Sequence, residues 1–401
     1  MIHPDNKPKL TDSICTVCGS AEVSVFLDVH QVPVHCNVLW PSRDEATNAP
    51  KGDIALTFCS SCGHIFNTAF NLDCMSYGQT YENSLHFSPR FQEYATALAE
   101  SLIGRHDLHK KVVMEIGCGK GDFLELLCGL GKNKGIGFDP SYLQEESGIS
   151  SKGDVMIISD YYSEQYADYK ADLICSRHVL EHIGSPAVFM ASLRRAIESR
   201  INTIIFFEVP NAAFTLRDLG IWDIIYEHCS YFSPTSLARL FESSGFRVQR
   251  LEETFGRQYL CIEASLTTNG TKKSWNGEVY DLERIKSDVL SFTDRYQKKI
   301  GDWHLRFEKM KQKGVNAVIW GAGSKGVTFL NTIAGDVIKY VVDINPRKHG
   351  MFIPGTGQEI VRPDFLHSYH PDAIIVMNPV YLEEVRGMVD SFRINPDIIP
   401  V

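Results

Sequence analysis

Residues 112–139 read VVMEIGCGKGDFLELLCGLGKNKGIGFD, and this stretch decides the fold. A short apolar run from Val112 to Met114 ends in Glu115 and breaks into Gly117, Gly119 and Gly121. An apolar helical pattern follows through Phe123, Leu124, Leu126 and Leu127, and 135–138 forms a second strand closed by Asp139. Strand, glycine turn, helix, strand and terminal acid make one β-α-β unit of a nucleotide-binding sheet. Glycines let the backbone approach a nucleotide closely, and an acid at the second strand tip suits a ribose diol. The turn spells E-x-G-x-G-x-G rather than GxGxxG. The carboxylate of Glu115 just before it is unfavourable for a pyrophosphate and favourable for a cationic ligand.

That spelling resembles motif I of class I methyltransferases that use S-adenosylmethionine (SAM), whose aminoacid-sulfonium is such a cation. Downstream, the β-branched run 155–159 ends at Asp160-Tyr161-Tyr162. An acid with a neighbouring ring at this point would hold an adenine by its amino group and by stacking. The expected cofactor set is therefore Glu115, Gly117, Gly119, Gly121, Asp139, Asp160 and Tyr161.

The β-α alternation continues with strands at 171–176 and 203–207 and closes with an antiparallel pair at 246–252 and 259–265. It predicts a mainly parallel sheet covered on both faces, with ligands beyond the strand carboxyl ends. Glu115, Asp139, Asp160, His178 and Glu208 all fall there. Between the fifth strand and the next helix lies Trp222-Asp-Ile-Ile-Tyr226-Glu227-His228-Cys-Ser-Tyr231-Phe232-Ser233. This block is too polar for a core and too aromatic for a surface loop. A Glu-His pair beside tyrosines could supply a base, a carboxylate tuning it, and hydroxyls to steady an oxyanion.

Upstream, Cys15-x-x-Cys18-Gly and Cys59-x-x-Cys62-Gly are two matching knuckles. Each points two thiolates at one ion, and together they complete a tetrahedral zinc site with no open position, hence a structural one. A module this small has little core of its own, so the metal would supply much of its folding energy. Cys36, Cys74 and His64 are spare. The polar-aromatic segment 77–90 precedes a helix capped at Ser88-Pro89, and Tyr77 and Tyr81 could close over a ligand.

Length and composition agree with this parsing. A chain of 401 residues, 44% hydrophobic, 22% charged and of net charge −9, reads as a soluble multidomain protein without affinity for nucleic acid or anionic membranes. No run approaches a membrane span and no signal-peptide core opens the chain, so a cytoplasmic location and reduced cysteines are expected. The Asn269-Gly-Thr271 sequon then marks only a turn. From about 277 to 313, Leu282, Val289, Tyr296, Trp303 and Met310 recur every seventh residue. Such a seam belongs to a helix lying across the domains or to a dimer contact, leaving monomer or homodimer open. After it, Gly321-Ala-Gly323-Ser-Lys-Gly326 follows a strand and precedes Asp343, which spells a dinucleotide fingerprint.

Taken together, the chain resembles the sugar C-methyltransferase family, whose members methylate carbon 3 of TDP-4-keto-deoxysugars. The motifs are the two C-x-x-C pairs, EIGCGKG at 115–121, RHVLEHI at 177–183, EVPN at 208–211, EHCSYFS at 227–233, and GAGSKG with VVDINPRKHGMFIPGT. The resemblance implies an α/β chain: an N-terminal zinc-binding module, a Rossmann-like class I methyltransferase domain, and a smaller C-terminal Rossmann-like domain for the nucleotide sugar. Boundaries near 1–75, 76–270 and 271–401 follow. It implies His228 as base, Glu227 as its partner, and His178 and Tyr81 as further active-site groups. Ile225 stands where the family has Tyr, with Tyr226 one place later, and Asn378-Pro379 stands where it has Trp-Asn. The chemistry therefore carries over while the sugar does not. The expected reaction is α-deprotonation of a ketone by His228, an enolate steadied by Tyr226 or Tyr81 and His178, and attack on the sulfonium methyl. The alternatives are an NAD-dependent oxidoreductase using 321–343 and a non-catalytic zinc scaffold.

Overall fold

The computed structural model describes residues 9–10, 13–75, 81–142, 149–198, 200–267, 282–333 and 337–401. Tyr77, the expected Asn269 turn and residues 277–281 of the expected helix lie outside them. Three sheets carry the chain. The largest runs Phe246–Thr254, Tyr259–Leu266, Ile204–Pro210, Leu173–Arg177, Val112–Ile116, Lys134–Phe138, Val155–Ile158 and Ile149–Lys152. Its central strands are parallel, and antiparallel strands finish both edges. These strands are unbroken apolar runs because both faces are covered. Met114, Ile174, Ile205 and Phe207 pack towards Phe241, while Val113, Leu173 and Phe206 pack towards Leu98, Leu102 and Leu127. From Val112–Ile116 the sheet grows first one way and then, from Leu173–Arg177, the other. The carboxyl ends of these two neighbours therefore frame the crevice.

The N-terminal sheet pairs Lys9–Leu10, Val23–Pro33, Lys51–Cys59 and Ile65–Asn67, and its last strand is Ser230–Tyr231. Ser230 lies opposite Phe66 and Tyr231 opposite Ile65, antiparallel. The aromatic block at 222–233 is thus stitched into the zinc-bearing sheet. The third sheet is parallel, in the order Glu359–Val361, Ile338–Val342, Ala317–Trp320, Ala373–Val376 and Asp397–Pro400.

Helix Leu282–Gln312 binds these parts together. Its 31 residues extend about 46 Å at 1.5 Å per residue. The heptad seam is buried, including Ile285, Val289, Phe292, Tyr296, Trp303 and Met310. It joins one core with Phe26, Leu27, Ile54 and Phe58 of the N-terminal sheet and Val327, Phe329 and Leu330 of the C-terminal part. Of the two uses of this seam left open by the heptads, the structure has the connecting helix. The N-terminal module, expected to lean on its metal for want of a core, shares this one. Among the described residues, no helix is long and apolar enough to cross a membrane.

Candidate active site

The turn after Val112–Ile116 is shaped by its glycines. Gly117 has φ +72° and a Cβ there would lie 2.2 Å from Val179 Cγ2. Gly119 has φ +56° with nothing within 4 Å of its own virtual Cβ, leaving an open face. Gly121, also left-handed, is the N-cap of Asp122–Gly131. Glu115 is buried and its Oε2 has no hydrogen-bond partner among the described residues. Burial raises its carboxyl to about 8; Arg177 opposes the rise, and Asp122 and Asp139 add to it. A cation here would relieve three acids together. Asp139, half-buried, accepts the Gly119 N–H on Oδ2 and the Ser141 N–H on Oδ1, each at 2.8 Å. Asp160 accepts from the Tyr161 N–H, Gln165 and the Tyr166 hydroxyl. Tyr161 itself is 63% exposed, and the ring bonded to this acid is that of Tyr166. An orphaned buried carboxylate beside an open glycine turn fits the sulfonium and ammonium of SAM.

Next to this turn a cavity of about 270 Å³ lies between the methyltransferase sheet and the C-terminal domain. Tyr81, His178, Glu181, His182, His228 and Tyr259 line one side, and Gly321, Gly323, Lys325, Asp343 and Lys348 the other. Ile225 and Asn378, the two departures from the family pattern, both face it. Asn378 and Gln258 exchange amide hydrogen bonds of 2.8 and 3.1 Å across its rim.

His178 leaves its strand with φ +56°, a left-handed turn uncommon outside glycine. Its Nε2 stands 2.9 Å from Glu208 Oε1 and its Nδ1 3.6 Å from Glu181 Oε1. Burial alone would lower its pKa, but these two carboxylates lift it to about 9. Glu208 is itself locked by Arg177 at 2.9 and 3.1 Å and by the Tyr94 hydroxyl. His228 goes the other way. Burial depresses its pKa well below 6.5, His182, His178 and Lys325 push it further down, and a hydrogen bond to the Asp223 backbone opposes them. One imidazolium and one neutral imidazole therefore face a single cavity.

Two expected roles need correction. Tyr226 does not reach the cavity: its hydroxyl accepts the Asn71 N–H at 2.9 Å, and its ring packs on Phe70. Glu227 is no side-chain partner of His228. Its Oε2 accepts the Cys36 N–H at 3.0 Å, and its Oε1 lies 3.7 Å from His35 Nδ1. Sequence neighbours here point to opposite sides of the chain. What Glu227 gives the site is its carbonyl, which accepts from His182 Nδ1 at 2.9 Å. His182 was missed from the sequence; its ring meets His228 at 5.0 Å, edge to face. The repeated histidine in RHVLEHI is the signal that the sequence offers for it.

Cys15, Cys18, Cys59 and Cys62 meet as the spacing predicts. Cys15 Sγ lies 3.5 Å from Cys62 Sγ, and Cys18 Sγ 3.6 Å from Cys59 Sγ. The glycine after each pair closes its knuckle, Gly19 N–H to Cys15 carbonyl and Gly63 N–H to Cys59 carbonyl, both 2.9 Å. Hydrogen bonding from Cys15 and Cys62 pulls the Cys59 thiol down, while Cys15 and Cys59 drive Cys62 up. Four sulfurs this close share protons unequally unless a cation replaces them, and the set fits a structural zinc. His64, fully buried between Phe66 and Phe232, is a packed histidine.

Sheet order, acid-led turn and the acid beyond the second strand define a SAM-dependent methyltransferase. A methyltransferase-domain family matches residues 88–251, and a C-methyltransferase C-terminal domain matches 281–395. The chain is a SAM-dependent C-methyltransferase, as the motif resemblance implied. The C-methyltransferase NovU of Streptomyces niveus is 23% identical over 310 residues, 72% of either chain. A ubiquinone biosynthesis O-methyltransferase of Thiobacillus denitrificans is 24% identical over 37% of this chain and 69% of its own. A SAM-dependent methyltransferase structure from Listeria monocytogenes aligns with 43% of this chain and 100% of its own, at 17% identity and a TM-score of 0.33.

Proposed function

We propose that the methyl acceptor is an enolisable carbon beside the ketone of a nucleotide-linked keto sugar. The observation that carries this reading is the pair of histidines lining one cavity, His228 pushed down by burial and His178 held up by Glu181 and Glu208. Neutral His228 takes the proton α to the ketone. His178, charged at neutral pH, and the Tyr81 hydroxyl steady the oxyanion that forms. SAM supplies the electrophilic methyl. Two side chains of divided charge suit carbon deprotonation better than transfer to an oxygen or nitrogen, which needs less acid–base equipment. The nucleotide part of the acceptor is supported by the wall opposite, where Lys325 and the buried Lys348 border a glycine turn without an acid before it. The NAD-dependent alternative finds less support there, since Asp343 is more deeply buried than Asp139.

The test is His228→Asn. Methyl transfer should fall by about a hundredfold or more, the scale of a positioned base, with S-adenosylhomocysteine (SAH) affinity nearly unchanged. Exchange of the acceptor's α-proton with deuterated water, followed without SAM, should vanish as well. Retained exchange with lost transfer would move the base elsewhere.

A further inference from the structure

Glu82 is 4% exposed, and its carboxylate is where the two walls of the cavity meet. Its Oε2 accepts from Lys120 Nζ at 2.6 Å and from Arg347 Nη1 at 3.2 Å. Its Oε1 accepts from Asn345 Nδ2 at 3.1 Å and from the Ser84 N–H at 3.2 Å. Lys120 stands between Gly119 and Gly121 in the SAM turn, whereas Asp343 and Asn345 belong to the facing wall, with Arg347 just beyond. The segment that carries Glu82 is anchored at both ends. Tyr81 bridges to Val38, and the Glu82 N–H donates to the Asn37 carbonyl at 2.8 Å. Glu384 of the C-terminal domain accepts from the Ser88 hydroxyl at 2.6 Å and from the Arg90 N–H at 3.1 Å. Between these anchors Asn83, Ser84, Leu85 and Phe87 line the cavity. Lys120 and Arg347 repel each other, so it is the ionised carboxylate that holds both on one oxygen.

We propose that Glu82 is a positioning residue for methyl transfer, carrying the ordering of the SAM turn across to the C-terminal wall of the cavity. The turn has three glycines at positive φ, and a bound cofactor restricts the backbone from which Lys120 reaches out. With that backbone fixed, the ammonium loses freedom, and Glu82, Asn345 and Arg347 lose it in turn. The acceptor then meets a wall already in register with the methyl donor, which spares that ordering cost at the moment of reaction. None of these contacts passes through the histidines, so the coupling goes beyond the keto-sugar reading and holds for any acceptor.

The test uses SAH alone, so its failure is distinct from failure of the proposed reaction. Hydrogen exchange of the full-length protein is followed by mass spectrometry, with SAH at concentrations that calorimetry shows to saturate each variant. In the unsubstituted protein SAH should slow exchange at 117–124 and also at 343–350, by about fivefold or more, the lower end of ordinary coupling between sites. In Glu82→Gln and in Lys120→Met, protection at 117–124 should remain and protection at 343–350 should vanish. Lys120 is 45% exposed, so its variant keeps the test decisive should the buried Glu82→Gln not fold. Unchanged exchange at 343–350 in the unsubstituted protein overturns the proposal. Protection retained there in Lys120→Met overturns it too, since packing alone would then carry the signal.

Discussion

The chain contains two glycine turns of the same construction and opposite electrical character. Each follows a parallel strand, opens a helix, and is capped by the acid of the next strand. Asp139 accepts the N–H groups of Gly119 and Ser141, and Asp343 those of Ala322 and Asn345, all at 2.8 Å. The first turn is led by buried Glu115 with Asp122 near it, whereas the position equivalent to Glu115 is Ile319 in the second. The second is flanked by Lys325 and by Lys348, which is 6% exposed and whose ammonium donates to the Ala322 carbonyl at 3.1 Å. Asp139 is half-buried, whereas Asp343 is 9% exposed, at the cavity wall. The lesson is that turn geometry alone does not name a ligand; the charge placed before and after the turn does.

The sharpest way to break this contrast is a pair of charge removals. Glu115→Gln should weaken SAM by about ten- to a hundredfold, the value of one charge-assisted contact of roughly 1.5–3 kcal/mol, and leave nucleoside diphosphate binding alone. Lys348→Met should do the reverse. Calorimetry with both ligands on both variants reads the four numbers, and matching losses for both ligands would erase the distinction. A second difference is one of packing. A Cβ at Gly326 would lie 2.0 Å from the Gly321 carbonyl oxygen, backbone that cannot swing aside, whereas Gly119 faces open space. Gly326→Ala should therefore cost about 1–3 kcal/mol of stability in urea unfolding, and Gly119→Ala less.

The smallest effect sharpens the electrostatics. In the ligand-free protein Glu115 holds its proton up to about pH 8, against 4.5 for an ordinary glutamate. The folded state thus binds more protons than the unfolded chain across that window. Its stability contribution is full below pH 4.5, falls as pH rises to about 8, and is flat beyond. A bound cation favours the ionised form, so SAM affinity should climb by up to about tenfold between pH 7 and 9. That component should be missing in Glu115→Gln.

Much of this was legible in the chain itself. The unit at 112–139, the order of parallel strands and the paired C-x-x-C knuckles each follow from local spacing, and the heptad seam announced a long helix. What was not legible depends on contacts between distant segments. Ser230–Tyr231 joins a sheet whose other strands lie before residue 68, and nothing in EHCSYFS announces that pairing. Once the chain is held there, Glu227 and Tyr226 turn towards Cys36 and Asn71, and adjacency to His228 loses its meaning. His182 and Glu181 were passed over because a short 3-10 turn, Leu180–His182, rather than an extended strand end, carries them into the cavity. The antiparallel edge Ile149–Lys152 has no apolar alternation to mark it.

The stitching of Ser230–Tyr231 into the first sheet, together with the seam of Leu282–Gln312, decides how the protein can be recombined. A chimera cut near residue 76 or 271, where the motifs divide, would graft one sequence's half of a shared core onto another's. Residues 13–75, 212–231 and 282–312 pack as one unit, so exchange between relatives should respect the fold only when all three segments travel together with the C-terminal residues they touch.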